Sequence, residues 1–400
     1  MNLYDIRQIA TGSLLVAGTC IGAGMLGLPV VTAVGGLYAS LGTFVGIWFV
    51  LLLSALLMLE ASLWLPQDTN LISMAEDTLG PWGKNIAWGA YLFFLYALLA
   101  AYTVGGSALF QQLFEKLGVV CSRPVVTTFY VALFSTVVFI GFKCVDFLNK
   151  ILMIGLFVAF GVLMVRVLPQ VDVSFYTEPS QPLALWQALP LLVAAFGFHL
   201  LIPSLRTYLN GNVLHLRGSI IVGSILPFVL YALWEVAILG MIPMQGETGL
   251  LAMAQHGDVI PALTQHLDAR LQSGTVSIWI RVFTFCALFT SVIGCGLGLF
   301  DFLADGCKIK KQGWGRLGLS LLTFIPPLIF AWVYPQGFLM ALNYAGIFAA
   351  ILLIIYPTLM VLSGRTDRKA AYRAPVNRWG MFAIIGFGLA IIVVQILARL

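Results

Sequence analysis

Residues 17–29 read AGTCIGAGMLGLP and lie in the middle of the first long apolar segment of this 400-residue chain. Four glycines and a proline in so short a stretch predict that a membrane helix breaks there. In hydrocarbon an unpaired backbone N–H or C=O group is costly, so an unwound stretch at membrane depth must be buried in protein or face a polar cavity. We therefore expect a ligand site at this break.

The composition predicts that most of the chain lies in lipid or against other apolar segments. Hydrophobic residues make up 60% of the chain and charged residues 9%, whereas soluble domains carry about 25% charged residues. A span needs roughly 20 apolar residues. The sequence predicts an all-α polytopic membrane protein, a single transporter domain over residues 1–400, with about eleven spans near residues 10–35, 38–65, 86–114, 122–142, 146–168, 183–206, 216–240, 276–303, 314–333, 337–362 and 378–398.

The distribution of Lys and Arg predicts the orientation of the chain. Residues 1–10 lead into the first apolar segment without a small-residue cleavage site, which indicates an uncleaved signal anchor. With a cytoplasmic N-terminus, fifteen of the 21 basic residues fall on the inside, and the C-terminus lies outside. The formal charge of +5 then reflects topology and gives no reason to expect nucleic-acid binding.

A second interruption lies in the sixth span, where residues 195–204 read AFGFHLLIPS. Pro203 lies 174 residues after Pro29, and Ile202 and Leu200 align with Leu28 and Leu26 at the same offset. Because an odd number of spans separates the two copies, they cross the membrane in opposite directions. A pair of interrupted segments in the two halves is typical of an inverted-repeat transporter with its binding site near the membrane midplane.

Three motifs resemble those of the bacterial tyrosine and tryptophan carriers of the hydroxy/aromatic amino acid permease family. They are residues 16–29, the residues FGFH (196–199) followed by IPS (202–204), and the residues GLFDFLAD (298–305). The resemblance runs from one end of the chain to the other. The chain departs from the family at Leu200 and Leu201, where small or polar residues are expected.

The resemblance implies a LeuT-type fold. Spans 1–5 (about residues 10–168) and spans 6–10 (about 183–362) would form the two inverted repeats, followed by one extra helix (about 378–398). It also implies proton-driven uptake of an aromatic amino acid across a bacterial inner membrane, so that the outside face, where the basic residues place the C-terminus, is the periplasm. We expect no cofactor and no metal, contact with membrane lipid, and a monomer.

A zwitterionic amino acid needs N–H donors for its carboxylate and carbonyl acceptors for its ammonium group, and a broken helix supplies both. The predicted carboxylate site comprises Gly22, Ala23, Gly24 and Met25. The predicted ammonium acceptors are the carbonyls of Thr19, Cys20 and Ile21.

The ring of the substrate needs a flat, apolar slot with a polar end. The predicted slot comprises Phe196, Gly197 and Phe198 of the second break, together with Tyr96 or Tyr102 on the third span; packing in the core is the alternative for each aromatic residue. His199 is predicted to meet a phenol hydroxyl or an indole N–H, since either tautomer of imidazole can serve. We favour tyrosine, and tryptophan and phenylalanine remain open.

Coupling requires a titratable or ion-binding group near the breaks. The resemblance implies that Lys150 on the fifth span takes the place of a sodium ion between the first and eighth spans, although a lysine at the membrane interface is an equal alternative. Thr290 and Ser291 resemble sodium-binding hydroxyls, so sodium coupling stays open. Glu60 is predicted either to cap N–H groups at the second break or to be a neutral, packed carboxyl. Glu235 is either a proton relay or a polar contact to a neighbouring helix.

An intramembrane enzyme is the main alternative from another class. The sequence contains no GxSxG, no HExxH and no paired intramembrane aspartates. A channel is disfavoured because no ring of charges and no repeated carbonyl filter appears. We therefore expect a secondary transporter and not an enzyme.

Overall fold

The computed structural model describes residues 3–67, 69–257, 259–271, 274–366, 368 and 372–397, and this part of the chain is helical throughout, without strands. Within it, ten stretches are long and apolar enough to cross a membrane. The α-helices are α1 (Leu3–Cys20), α2 (Gly24–Thr32), α3 (Gly36–Ser62), α4 (Leu71–Lys116), α5 (Arg123–Ile140), α6 (Phe142–Val167), α7 (Leu189–Ala195), α8 (Ile202–Tyr208), α9 (Val213–Met241), α10 (Leu250–His256), α11 (Val259–Leu271), α12 (Gly274–Gly306), α13 (Gly313–Val333), α14 (Phe338–Ala349), α15 (Tyr356–Gly364) and α16 (Arg378–Leu397).

The count of ten differs from the expected eleven at the start of the chain. Residues Gly24–Ser62 count as one stretch of 39 residues, which as a straight helix would measure about 58 Å against a hydrocarbon core of about 30 Å. The chain turns inside this stretch, at a 3-10 segment (Ala33–Gly35) and at Gly36, whose φ of +71° suits glycine. We therefore assign α1 and α2 to one broken span and α3 to the next.

Both predicted breaks are present. α1 ends at Cys20 and α2 begins at Gly24. Pro29 lies inside α2, so the chain unwinds before the proline and not at it. In the sixth span, α7 ends at Ala195 and α8 begins at Ile202, with a 3-10 turn between them.

The two breaks lie in the core of the helix bundle. α2 is buried almost all round, as expected for a helix with no polar face. α9 packs against α1, α2 and α3, while α12 packs against α6 and α4. α14 joins α4 to α7. The breaks are thus enclosed by protein on several sides, as the cost of exposed backbone in lipid requires.

Two spans depart from regular helix in ways that the sequence did not predict. α4 begins at Leu71, well before the expected residue 86, and bends at Gly80 (φ +77°) in front of Pro81. In the tenth span, a π-helical segment (Ala350–Ile355) separates α14 from α15. The carbonyl of Leu353 in this segment accepts a hydrogen bond from the hydroxyl of Ser54 on α3.

The connection between α9 and α12 carries two short helices. The sequence predicts one helix near residues 257–263, of which Asp258 lies outside the described residues. The structure has α10 before that position and α11 after it, and both pack against α2. They therefore cover part of the broken first span. Lys369 and Arg399 are two of the basic residues from which the orientation is predicted, and they also lie outside the described residues.

Candidate substrate site

A cavity of about 370 Å³ is bounded by both helix breaks, by one face of α4 and by one face of α12. Its volume falls within the range of small-molecule sites, about 300–1,000 Å³. None of the residues that line it carries a charge. The predicted site residues that line it are Thr19, Cys20, Ile21, Gly22, Gly24, Tyr102, Gly197, Thr290 and Ser291.

The first break presents free N–H donors to the cavity. The N–H of Ala23 donates to the hydroxyl of Ser291 on α12 at 2.9 Å, and that hydroxyl donates in turn to the carbonyl of Ala287. Among the residues that the structure describes, the N–H groups of Gly22 and Gly24 have no acceptor. They lie at the start of α2, where the helix dipole favours an anion.

The same break presents carbonyl acceptors at the end of α1. The hydroxyl of Tyr231 on α9 lies 2.6 Å from the carbonyl oxygen of Cys20 and 3.0 Å from that of Ala195, at the end of α7. One buried hydroxyl thus joins the two breaks. Within the described part of the chain, the carbonyls of Thr19 and Ile21 accept no hydrogen bond, so they remain available to a ligand.

One face of α4 forms an aromatic wall. Tyr91, Phe94 and Tyr102 line the cavity, and their spacing of three and eight residues keeps them on one side of a helix. Tyr96 points elsewhere and donates to the carbonyl of Leu322 at 2.8 Å. Tyr91 and Phe94 were not among the residues predicted from the sequence. The helical spacing from Tyr102 was the signal that would have found them.

The bulky residues of the second break point into the core and do not line the cavity. The ring of Phe196 packs against Phe44 and edge-on against Tyr231. Phe198 and His199 are also buried, with their ring centroids 5.1 Å apart. The ring nitrogens of His199 have no hydrogen-bond partner among the described residues.

Small residues take the place of these rings at the cavity wall. Ala194, Ala195 and Gly197 line it on the side of the second break, so the substrate would meet backbone and methyl groups there. Ala23 and Met25 of the first break are likewise buried outside the lining. Direct substrate contacts by Phe196, Phe198 and His199 therefore stay predictions from sequence.

The family model for the tryptophan/tyrosine permeases matches residues 6–395 of the chain. The chain belongs to the tryptophan/tyrosine permease family. Tyrosine-specific transport system 1 of Haemophilus influenzae is 35% identical to it, over 94% of this chain and 92% of the relative. The tryptophan-specific transport protein of Pseudomonas aeruginosa is 31% identical, over 97% and 94% of the two chains. The low affinity tryptophan permease of Escherichia coli is 30% identical, over 88% and 86%.

Membership in the tryptophan/tyrosine permease family makes this chain a transport protein and not an enzyme. It also confirms the resemblance found in the three motifs, and the helical structure confirms a polytopic membrane protein. The cavity between the breaks is the candidate substrate site of this permease.

The predicted coupling lysine of the permease lies beside the cavity and not in its wall. Asn149 lines the cavity, but the next residue is turned by about 100° on a helix. The side chain of Lys150 is 71% exposed, and its Nζ lies 2.7 Å from Oδ2 of Asp146. On α12, Ser291 and Thr290 both line the cavity, and the hydroxyl of Thr290 donates to the carbonyl of Cys286 at 2.9 Å. Their role in coupling remains a prediction.

Glu60 lies at a different junction from the expected one. Its carboxylate accepts two hydrogen bonds from the guanidinium of Arg365, at 2.9 and 3.0 Å, and one from the N–H of Ala374 at 2.7 Å. Both of its oxygens are thus occupied by the end of α15 and the connection to α16, and not by the second break. The pair is nearly buried, with side-chain exposures of 2% for Glu60 and 11% for Arg365.

Proposed function

We propose that this permease imports an aromatic amino acid, with tyrosine as the first candidate, together with a proton, by alternating access in a LeuT-type fold. One observation carries the proposal. An uncharged cavity of about 370 Å³ has free N–H groups at the start of α2 and free carbonyls at the end of α1. A zwitterion carries no net charge and needs both kinds of partner.

The backbone of the first break suits the common part of every amino acid. In the proposed complex, the carboxylate accepts from the N–H groups of Gly22 and Gly24. The ammonium group donates to the carbonyls of Thr19 and Ile21. These contacts use only backbone atoms, so they are independent of the substrate's side chain.

The aromatic preference rests on α4 and on the relatives. The rings of Tyr91, Phe94 and Tyr102 offer stacking surfaces within the cavity wall. The hydroxyls of Tyr91 and Tyr102 could meet the phenol hydroxyl of a tyrosine substrate. The relatives named tyrosine-specific and tryptophan-specific support the aromatic class.

Uptake of labelled tyrosine into proteoliposomes tests the proposed function. We expect an inward proton gradient to drive accumulation without sodium, and counterflow to exchange labelled for unlabelled tyrosine. If accumulation requires sodium, sodium takes the place of the proton as the coupling ion, and Thr290 and Ser291 become the favoured ion ligands. Absence of saturable tyrosine exchange would reject tyrosine carriage.

Competition with unlabelled amino acids tests the substrate class. We expect tyrosine to compete best, followed by phenylalanine and tryptophan, and serine not to compete. Strongest competition by tryptophan would make tryptophan the substrate, as in the relatives named for it. Strongest competition by serine would reject the aromatic class.

The proposed orientation follows from the basic residues and places the N-terminus in the cytoplasm and the C-terminus in the periplasm of a bacterial inner membrane. A reporter enzyme that is active only in the cytoplasm, fused after α16, should be inactive. An active reporter would reverse the orientation.

A further inference from the structure

The hydroxyl of Thr32, in the last turn of α2, makes two short contacts. Its Oγ1 lies 2.6 Å from the carbonyl oxygen of Leu28 and 2.5 Å from Oε1 of Glu235 on α9. A hydroxyl has one proton to donate, and a carbonyl oxygen only accepts. If Glu235 were ionised, one of the two contacts would lack a proton. A protonated Glu235 supplies the second proton and donates to Thr32, which then donates to Leu28.

The surroundings of Glu235 also favour the neutral acid. The residue is fully buried, and its Oε2 has no hydrogen-bond partner among the described residues. In the same part of the chain, no Lys, Arg or His forms an ion pair with it. An ionised carboxylate buried without a counter-charge is strongly unfavourable.

The other titratable groups on elements packed against this end of α9 are engaged or exposed. The hydroxyl of Tyr176 donates to the carbonyl of Val236, and the carboxylate of Glu178 accepts from the N–H of Met244. The Ser174 hydroxyl and N–H hold the pKa of Asp172 below its ordinary value. Tyr38 on α3 and Arg166 on α6 are exposed. The pair Asp5–His215 lies at the opposite end of α9.

Glu235 lies one helical turn after Tyr231, on the same face of α9. Tyr231 touches the end of α1 and the end of α7, as described above, and Glu235 touches the end of α2. Two adjacent side chains of α9 therefore hold the segments on both sides of the first break. Of these two side chains, only that of Glu235 is a carboxylic acid that can release a proton.

We propose that Glu235 binds the transported proton and that, while protonated, it ties α2 to α9 through Thr32. This step rests on the proposed proton symport. When the proton leaves for water, the carboxylate is charged and buried without a counter-charge, which favours its movement toward water and away from Thr32, and so lets the empty carrier return. Because α2 carries the N–H groups proposed for the substrate carboxylate, the same tie would stabilise the substrate-bound carrier.

Glu235→Gln tests the assignment, because glutamine keeps the shape and a donor for Thr32 but holds no transferable proton. In proteoliposomes we expect the variant still to exchange tyrosine in counterflow, at a reduced rate, because glutamine mimics the protonated carboxyl and counterflow does not require proton release. We expect it to lose accumulation driven by an inward proton gradient. Proton-driven accumulation by Glu235→Gln at the wild-type level would overturn the proposal.

Two further measurements separate this proposal from the proposed function. Wild-type protein tests the function alone: if wild type carries tyrosine without proton dependence, proton symport itself fails. Lys150→Ala tests the competing residue. If Lys150→Ala loses proton-driven accumulation while Glu235→Gln keeps it, the proton site lies at Lys150 and not at Glu235.

Thr32→Val provides a second test of the proposal if the Glu235→Gln protein does not fold or does not exchange tyrosine. Loss of the hydroxyl removes the hydrogen-bond partner of Glu235, so the pH profile of proton-driven uptake should shift by about one unit. A profile identical to wild type would overturn the proposal.

Discussion

The hydroxyl of Tyr231 lies 2.6 Å from the carbonyl oxygen of Cys20, the last residue of α1. This contact satisfies a backbone group that the broken helix leaves without an intrahelical partner. The same hydroxyl lies 3.0 Å from the carbonyl oxygen of Ala195, so the geometry of one break is tied to that of the other.

Tyr231→Phe should weaken tyrosine binding by about two- to thirteenfold, because a neutral hydrogen bond contributes about 0.5–1.5 kcal/mol. Equilibrium binding of labelled tyrosine to purified protein measures the effect. Tyr176→Phe is the matched control, since it removes a hydroxyl that donates to the backbone of the same helix, at Val236, away from the breaks. Equal losses in both variants would mean that α9 is destabilised generally and that Tyr231 has no special role at the site.

Gly22→Ala should abolish binding. A Cβ at this position would lie 2.4 Å from the hydroxyl oxygen of Ser291, so Ser291 would have to move and release the N–H of Ala23. Gly161→Ala is the control, because a Cβ there meets nothing within 4 Å. Wild-type affinity in a folded Gly22→Ala protein would contradict the role given to the first break.

Phe94→Ala and Phe198→Ala decide which aromatic residues meet the substrate. The sequence alone predicts that Phe198→Ala weakens aromatic substrates, by about 1–3 kcal/mol for a contact of this size. The structure assigns that loss to Phe94, which lines the cavity. Both side chains are buried, with exposures of 4% for Phe94 and 2% for Phe198, so both truncations should lower stability by about 3–5 kcal/mol, and only Phe94→Ala should also weaken binding. Binding and thermal unfolding, measured on both variants, separate the two outcomes.

Glu60→Ala should lower the free energy of unfolding by about 3–5 kcal/mol, because it leaves the guanidinium of Arg365 nearly buried without its counter-charge. Thermal unfolding in detergent measures the effect. Glu76→Ala is the control: its ion pair with Lys84 is about half exposed and should contribute less than about 1 kcal/mol. Similar shifts for both variants would show that Arg365 is adequately solvated without Glu60.

The sequence predicted the breaks because they depend on local chemistry. Unwound backbone is indicated by the glycines at residues 18, 22, 24 and 27 and by the corresponding positions of Pro29 and Pro203. This signal is the same however the helices pack around it. The free N–H groups of Gly22 and Gly24 follow from the same signal. These features required no knowledge of the neighbouring helices.

The direction of individual side chains was harder to predict, because it depends on which face of each helix meets the core. Tyr96 and Tyr102 are six residues apart, so they point to different sides of α4 and only one lines the cavity. Asn149 and Lys150 differ in the same way on α6. For Glu60, the partner Arg365 is 305 residues away in sequence, and no local pattern identifies it.

The π-helical segment Ala350–Ile355 fixes the rotational register of the end of the tenth span. A π-turn holds one residue more than an α-turn at nearly the same length. If the same residues wound as regular α-helix instead, everything after them would be turned by about 100° relative to the start of the span. Arg365 would then face away from Glu60, and the chain could not make both the Ser54–Leu353 contact and the Glu60–Arg365 pair. The irregular turn thus acts as a spacer that lets one helix satisfy two fixed anchors on α3.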